Sequence, residues 1–141
     1  MKILLIENSG ILRLSNERAL LEAGYEVICA EDGESGVRRA KQQMPDLILL
    51  DLLPPKVIGF EVLARLKHSR GTARIPVIAV NGHSERNRQR LIEAGAEDFL
   101  EKSAIMTEKG TNRLPQALGE LIRRMNRRRG IFSTPVLKKK S

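Results

Sequence analysis

The chain has 141 residues, of which 41% are hydrophobic and 30% are charged, a composition typical of a single soluble domain. It contains no apolar run of about 18 residues, which excludes a transmembrane helix, and its single cysteine, Cys29, excludes an internal disulfide and suits the cytoplasm. The net charge of +8 lies at one end, because residues 1–102 carry 15 basic and 15 acidic residues and residues 103–141 carry 10 and 2.

Short apolar runs alternate with amphipathic segments from the start of the chain. The runs predict five buried strands, at residues 2–6, 25–30, 47–50, 76–80 and 98–101. The segments between them predict helices at 11–23, at 34–43, up to about 68, after an N-cap at Ser84, and after an N-cap at Asn112. The last helix has one apolar stripe, formed by Leu114, Leu118, Leu121, Ile122 and Met125. This order predicts a doubly wound, five-stranded parallel sheet with helices on both faces.

Polar residues follow four of the predicted strands. Glu7 and Asn8 come after the first, Asp51 ends the third, Asn81 follows the fourth, and Lys102 follows the fifth. Doubly wound sheets bind ligands outside the carboxyl ends of their strands, so these side chains are candidates for one site. Two carboxylates that are brought together repel each other unless a cation lies between them. Glu7 and Asp51 are therefore candidate Mg²⁺ ligands, with Lys102 and Asn81 as candidate contacts of a phosphoryl group.

Four segments carry a resemblance to a known family over about residues 2–125. They are "ILLIEN", "DLILLDLLPP" with the later "GF", "IPVIAVNG" and "GAEDFLEKS". In this order and spacing the chain resembles the receiver domain of bacterial two-component response regulators. The resemblance implies a flavodoxin-like (β/α)5 fold with strand order 2-1-3-4-5, and a phosphorelay signalling module rather than an enzyme.

The resemblance also implies a role for each candidate residue. Asp51 would accept a phosphoryl group from a histidine kinase or phosphotransfer protein. Glu7, Asn8, Asp51 and the backbone carbonyl of Leu53 would hold Mg²⁺, and Lys102 would contact the phosphoryl group. Asn81 would occupy the switch position beside that group.

The sequence departs from the family pattern at several of these positions. Asn8 stands where a second acid is usual, and an amide lacks the charge that binds Mg²⁺ strongly. Asn81 replaces the usual Thr or Ser, Ser103 replaces a proline, and Ile58 replaces the acid that commonly precedes Gly59. Two interpretations stay open. The domain accepts phosphate with a weaker dependence on metal, or it is a pseudo-receiver that acts through protein contacts without phosphorylation.

The basic end of the chain predicts a boundary between a receiver domain at 1–128 and a basic tail at 129–141. Its charges lie in "RRMNRRRG" and "VLKKKS". They indicate either a solvated helix face and a frayed end, or contact with an anionic partner. No helix-turn-helix or zinc finger is apparent, so sequence-specific DNA binding is not expected. No output domain is apparent either, so we expect the output to pass to a downstream protein partner or to belong to a longer chain of which this sequence is a fragment. The segment "GIFSTPVL" could dock on a second copy in a homodimer.

Overall fold

The structure, a computed structural model, describes residues 1–51, 56–81 and 85–129, without the side chains of residues 56–58, 81 and 85–87. Its elements in chain order are β1 (Lys2–Ile6), α1 (Gly10–Glu22), β2 (Glu26–Ala30), α2 (Gly33–Gln43), β3 (Leu47–Asp51), α3 (Lys56–His68), β4 (Val77–Asn81), α4 (Glu85–Glu93), β5 (Asp98–Glu101), a 3₁₀ turn (Lys102–Ala104) and α5 (Leu114–Arg128). The strands form one parallel sheet in the order β2-β1-β3-β4-β5. This confirms the predicted doubly wound, flavodoxin-like fold. No helix within the described ranges is long and apolar enough to cross a membrane.

The central strands are apolar throughout because both faces of the sheet are covered. Along β1, Leu4 and Ile6 pack with α2 and α3, whereas Ile3 and Leu5 pack with α1 and α5. Successive side chains of a strand point to opposite faces, so a strand that is buried on both sides cannot alternate apolar with polar residues. The five apolar residues predicted to form the stripe of α5 are all buried, as expected.

The start of α5 differs from the prediction by one residue. Arg113, rather than Asn112, occupies the cap position, and it makes no side-chain cap hydrogen bond. Asn112 Oδ1 instead accepts a hydrogen bond from Leu114 N at 2.8 Å, while its Nδ2 donates to Asn16 Oδ1 at 2.7 Å. Asn112 therefore ties the start of α5 to α1. The predicted N-cap at Ser84 lies outside the described residues.

The register of the sheet brings the polar strand ends together. Ile6 pairs with Leu50, so the residues that follow them, Glu7 and Asp51, leave neighbouring strands at the same level. Further along the sheet Asp51 pairs with Val80 of β4, the residue before Asn81.

Candidate functional site

Asp51 lies at the carboxyl end of the sheet with a buried carboxylate. Its side chain is 2% exposed, and Lys102 Nζ lies 3.3 Å from its Oδ1. When Glu7 is ionised, no described group donates a hydrogen bond to either carboxylate oxygen of Asp51. A buried carboxylate with so few partners is costly to desolvate, so the site favours a ligand that supplies positive charge or hydrogen-bond donors.

Glu7 is a second buried acid, 2% exposed, at the end of the neighbouring strand. The pKa of Glu7 is raised to about 8, mainly by burial and then by the adjacent Asp51, through a hydrogen bond to the protonated form and through charge repulsion. A hydrogen bond from Ser9 N to Glu7 Oε2, 3.1 Å long, and the charge of Lys102 act in the opposite direction. Two acids and one lysine therefore share one buried site.

The loop between β1 and α1 is held by contacts that the sequence analysis did not identify. Ser9 caps α1 by accepting a hydrogen bond from Leu12 N at 3.3 Å. Arg13 Nη1 donates to the carbonyl oxygen of Glu7 at 2.9 Å and lies 3.5 Å from that of Asn8. A serine before a helical segment is a recognisable cap signal. No sequence pattern indicates that Arg13 will bind the backbone carbonyl of Glu7, six residues earlier in the chain.

Of the remaining predicted site residues, the structure describes the side chain of Asn8 but not those of Asn81 and Leu53. Asn8 is exposed, and its Nδ2 lies 3.5 Å from the carbonyl oxygen of Glu31, toward β2. The backbone of Asn81 ends β4, where it pairs with Glu101, but its side chain lies outside the described part of the structure. Leu53 also lies outside it. The structure thus brings together Glu7, Asp51 and Lys102.

The donor set at this site suits a small, hard cation. In the described part of the chain no group of three or more His, Cys, Asp or Glu could hold a metal ion. Magnesium, however, needs only one or two carboxylates, since it keeps several waters and takes oxygens from a phosphate. The unpartnered oxygens of Asp51 and the neighbouring carboxyl of Glu7 match that requirement.

A third buried acid, at the amino end of β5, links α4 to α5 away from the carboxyl ends of the strands. Asp98 is 4% exposed, and Arg88 Nη2 and Arg128 Nη2 lie 3.9 and 3.3 Å from its two carboxylate oxygens. The Arg88 guanidinium also lies over the ring of Phe99, 5.0 Å from its centroid. Phe99 packs against the core cluster between the sheet and α3. This aromatic residue therefore has a cation on one side and the core on the other.

Comparison with known proteins gives a consistent result. The family model described as "Response regulator receiver domain" matches residues 3–111. The chain is 37% identical over 123 residues to the gliding motility regulatory protein of Myxococcus xanthus, covering 86% of this chain and 15% of that protein. It is 36% identical over 126 residues to the DNA-binding dual master transcriptional regulator RpaA of Synechocystis, covering 82% of this chain and 52% of that protein. The chain thus spans about half or less of the length of these relatives.

A solved structure extends the likeness to three dimensions. The receiver domain of a sensor histidine kinase from Pseudomonas aeruginosa superposes with a TM-score of 0.71 at 26% identity, covering 88% of this chain and 95% of that one. That structure has a magnesium ion coordinated in its active site cleft.

Proposed function

Because this chain belongs to the response regulator receiver domain family, we propose that it accepts a phosphoryl group on Asp51 from a phosphohistidine donor. Receiver domains are signalling modules of two-component systems that interact with histidine kinases and downstream effectors. The proposal assigns the acceptor role to Asp51, the phosphoryl contact to Lys102, and the metal-binding role to Glu7 together with Asp51.

The observation that carries the proposal is the state of the Asp51 carboxylate. Its side chain is buried, Lys102 Nζ lies 3.3 Å from Oδ1, and the one further contact is with Glu7, which donates a hydrogen bond to Asp51 only when it is protonated. A carboxylate whose role was only structural would be expected to have its oxygens satisfied by donors. The ion pair with Lys102 offsets part of the desolvation cost and leaves oxygen lone pairs free for a new bond.

The chemical step that we propose is an in-line displacement at phosphorus. A carboxylate oxygen of Asp51 forms the new P–O bond while the P–N bond of the donor breaks, and its electron pair returns to the imidazole nitrogen. The Lys102 ammonium, already beside Asp51, supports the negative charge on the phosphoryl oxygens. Asn81, next to it at the end of β4, is proposed to donate an amide hydrogen bond to the same group.

The residues present fit a magnesium ion, which receiver domains bind in this site. Glu7 and Asp51 would hold it, and the ion would supply positive charge against the phosphoryl oxygens. Asn8 and the carbonyl of Leu53 are proposed as further oxygen ligands. Since Asn8 brings no charge, we propose that metal binding is weaker than in a site with a second acid there.

Exposure to acetyl phosphate and Mg²⁺ tests the proposal. Intact-protein mass and phosphate-affinity gels should show one phosphoryl adduct on the wild type and none on Asp51→Asn. The matched control is Asp46→Asn, which removes an acid that lies at the amino end of β3 and should keep the adduct. Absence of any adduct from acetyl phosphate or from a beryllium fluoride complex at millimolar concentration would overturn the proposal. That outcome would favour the pseudo-receiver, the reading that Asn8 and Asn81 support.

The organisation of the rest of the chain remains a proposal. α5 ends at Arg128, which agrees with a receiver domain at 1–128 and a basic tail at 129–141, although residues 130–141 lie outside the described part of the structure. We propose a cytoplasmic location, a histidine kinase or phosphotransfer protein as donor, and a downstream protein as recipient of the signal. A homodimer through 130–137 is tested by comparing the oligomeric state with and without the last twelve residues.

A further inference from the structure

The last two turns of α5 hold most of the excess positive charge of the described chain. Five exposed arginines fall within seven residues, and we refer to them as the arginine cluster: Arg123, Arg124, Arg127, Arg128 and Arg129. The first 102 residues, in contrast, have equal numbers of acidic and basic residues. The cluster therefore stands out against a neutral body.

Intramolecular pairing explains only part of the cluster. Arg128 binds the buried Asp98, and Arg129 Nη2 lies 2.6 Å from Glu97 Oε1. Arg123, Arg124 and Arg127 form no hydrogen bond or ion pair with any described residue. Cations stabilise the carboxyl end of a helix dipole, and Arg127 and Arg128 lie in the last turn of α5, where this effect applies. The guanidinium groups of Arg123, Arg124 and Arg127 nevertheless have no acidic partner among the described residues.

These three arginines project from the outer side of the helix. The stripe of α5 that includes Leu121 and Met125 is buried against the sheet, so the exposed Arg123, Arg124 and Arg127 lie on the opposite side. At three- and four-residue spacing such side chains are neighbours on one helix face. Glu120 is one turn earlier on that face, and it forms no ion pair with them in the described structure. The surface remains net positive.

We propose that the arginine cluster binds the phosphate backbone of a nucleic acid without reading its sequence. The three unpaired charges fall within the five helical residues 123–127 and extend over about 7.5 Å, or one charge per roughly 2.5 Å of helix axis. Duplex DNA carries one negative charge per about 1.7 Å of its axis, which is dense enough to supply a phosphate for each guanidinium. All five residues are arginine, whose planar guanidinium can bind a phosphate through two parallel hydrogen bonds. Specific readout is absent, since the cluster contains no side chain that pairs with base edges beyond these cations.

Two other anionic partners fit the surface less well. An extended acidic peptide carries at most one carboxylate per about 3.3 Å, which is a lower charge density than that of the unpaired arginines, so it cannot supply an acid for each guanidinium. A membrane-surface helix inserts its apolar face between the lipids, whereas the apolar stripe of α5 is already buried in the core of the domain. Charge density and the buried stripe together favour nucleic acid.

The experiment measures binding of the full chain to a fluorescent duplex of scrambled sequence by anisotropy, between about 50 and 200 mM salt. Contacts from three unpaired arginines predict a slope of log K against log salt of about −2.7, which is a loss of about 40-fold in affinity over that range. Replacement of Arg123, Arg124 and Arg127 by Gln should abolish most of that slope and weaken binding at least about tenfold at low salt. The matched control replaces Arg18, Arg38 and Arg39, exposed arginines on α1 and α2, and should bind nearly as the wild type.

Several results would overturn the proposal. One is equal weakening by the two triple variants, which would show that only total charge matters. Another is the absence of salt-dependent binding by the wild type at low salt. A third is that poly-glutamate competes more strongly than unlabelled duplex at equal charge concentration. A fourth is that the protein binds vesicles with anionic lipid more tightly than it binds the duplex. The wild-type slope and the competition series need no variant, so the proposal stays testable even if a triple variant does not fold.

Discussion

Lys102 reaches Asp51 across the end of the strand that separates them. Its ammonium lies 3.3 Å from Asp51 Oδ1, although β3 and β5 are not neighbours and β4 lies between them. The lysine side chain therefore spans the carboxyl end of β4, the position of Asn81. Because Glu7 adjoins Asp51 on the other side, this single cation faces both buried acids.

Replacement of Lys102 by Met should destabilise the metal-free protein by roughly 2 kcal/mol. Removing one partner of a fully buried ion pair costs about 3–5 kcal/mol, and the Lys102 side chain is 30% exposed, which lowers that cost. Asp51→Asn should remove most of the penalty, because no uncompensated charge then remains. A double-mutant cycle by urea unfolding measures the coupling. Strict additivity of the two substitutions would show that the contact contributes nothing.

The stability of the metal-free protein should depend on pH through Glu7. Its pKa is raised from 4.5 to about 8 in the folded chain, so between these values the folded state holds a proton that the unfolded state has released. The contribution of Glu7 to the free energy of unfolding is then highest below pH 4.5 and falls as the pH rises toward 8, by at most about 1.4 kcal/mol per pH unit.

Glu7→Gln isolates this effect, since Gln has nearly the same shape and does not titrate. Urea unfolding in EDTA between about pH 5 and pH 8 should show the wild type losing stability relative to the variant as the pH rises. Parallel profiles of the two proteins would mean that Glu7 titrates near its ordinary value.

Asn8→Asp should strengthen Mg²⁺ binding and lower the thermal stability of the metal-free protein. A third carboxylate near Glu7 and Asp51 adds charge for the ion, for which we expect a gain of about tenfold in affinity, or about 1.4 kcal/mol. Without metal the same charge adds repulsion and should lower the thermal midpoint. The midpoint is measured against Mg²⁺ concentration, with EDTA as the metal-free reference. Gln42→Glu, an exposed substitution on α2 with the same change of charge, should show neither effect.

Gly36→Ala should destabilise the domain by about 1–3 kcal/mol, despite the better helix propensity of alanine. A Cβ at this position of α2 would lie 2.5 Å from Ile6 Cδ1 and 2.8 Å from its Cγ1. Ile6 is buried in the core cluster, so its side chain has little freedom to move away. Ile6→Val removes the Cδ1 atom and should recover part of the loss, which chemical denaturation of the two single variants and the double variant would show. No recovery would point to a cause other than this contact.

The fold was largely predictable because its signals are local. The apolar runs of β1 and β3 identify strands that are buried on both faces, and the stripe of α5 identifies the side of that helix that packs on the sheet. Strand order followed from the family resemblance and not from periodicity, which specifies elements but does not specify their neighbours in the sheet.

The residues of the candidate site at the strand ends were predictable from the sequence, whereas the hydrogen bonds between elements around the site were not. The grouping of Glu7, Asp51 and Lys102 follows from register, since parallel strands place their carboxyl ends at one edge. The hydrogen bond of Asn112 to Asn16, in contrast, joins residues 96 positions apart. A polar residue before a helix looks like a cap whether or not it also binds another element, so the sequence alone does not distinguish the two.

The hydrogen bond from Arg13 to the loop after β1 couples the position of α1 to that of the acidic site. The Arg13 guanidinium joins the first turn of that helix to the backbone carbonyl of Glu7. A protein that docks on α1 and rotates it would pull on this carbonyl and displace one of the two buried acids without touching either carboxylate. The coupling is reciprocal. An ion that fixes Glu7 would also restrain α1, and would therefore oppose a partner protein that has to rotate this helix.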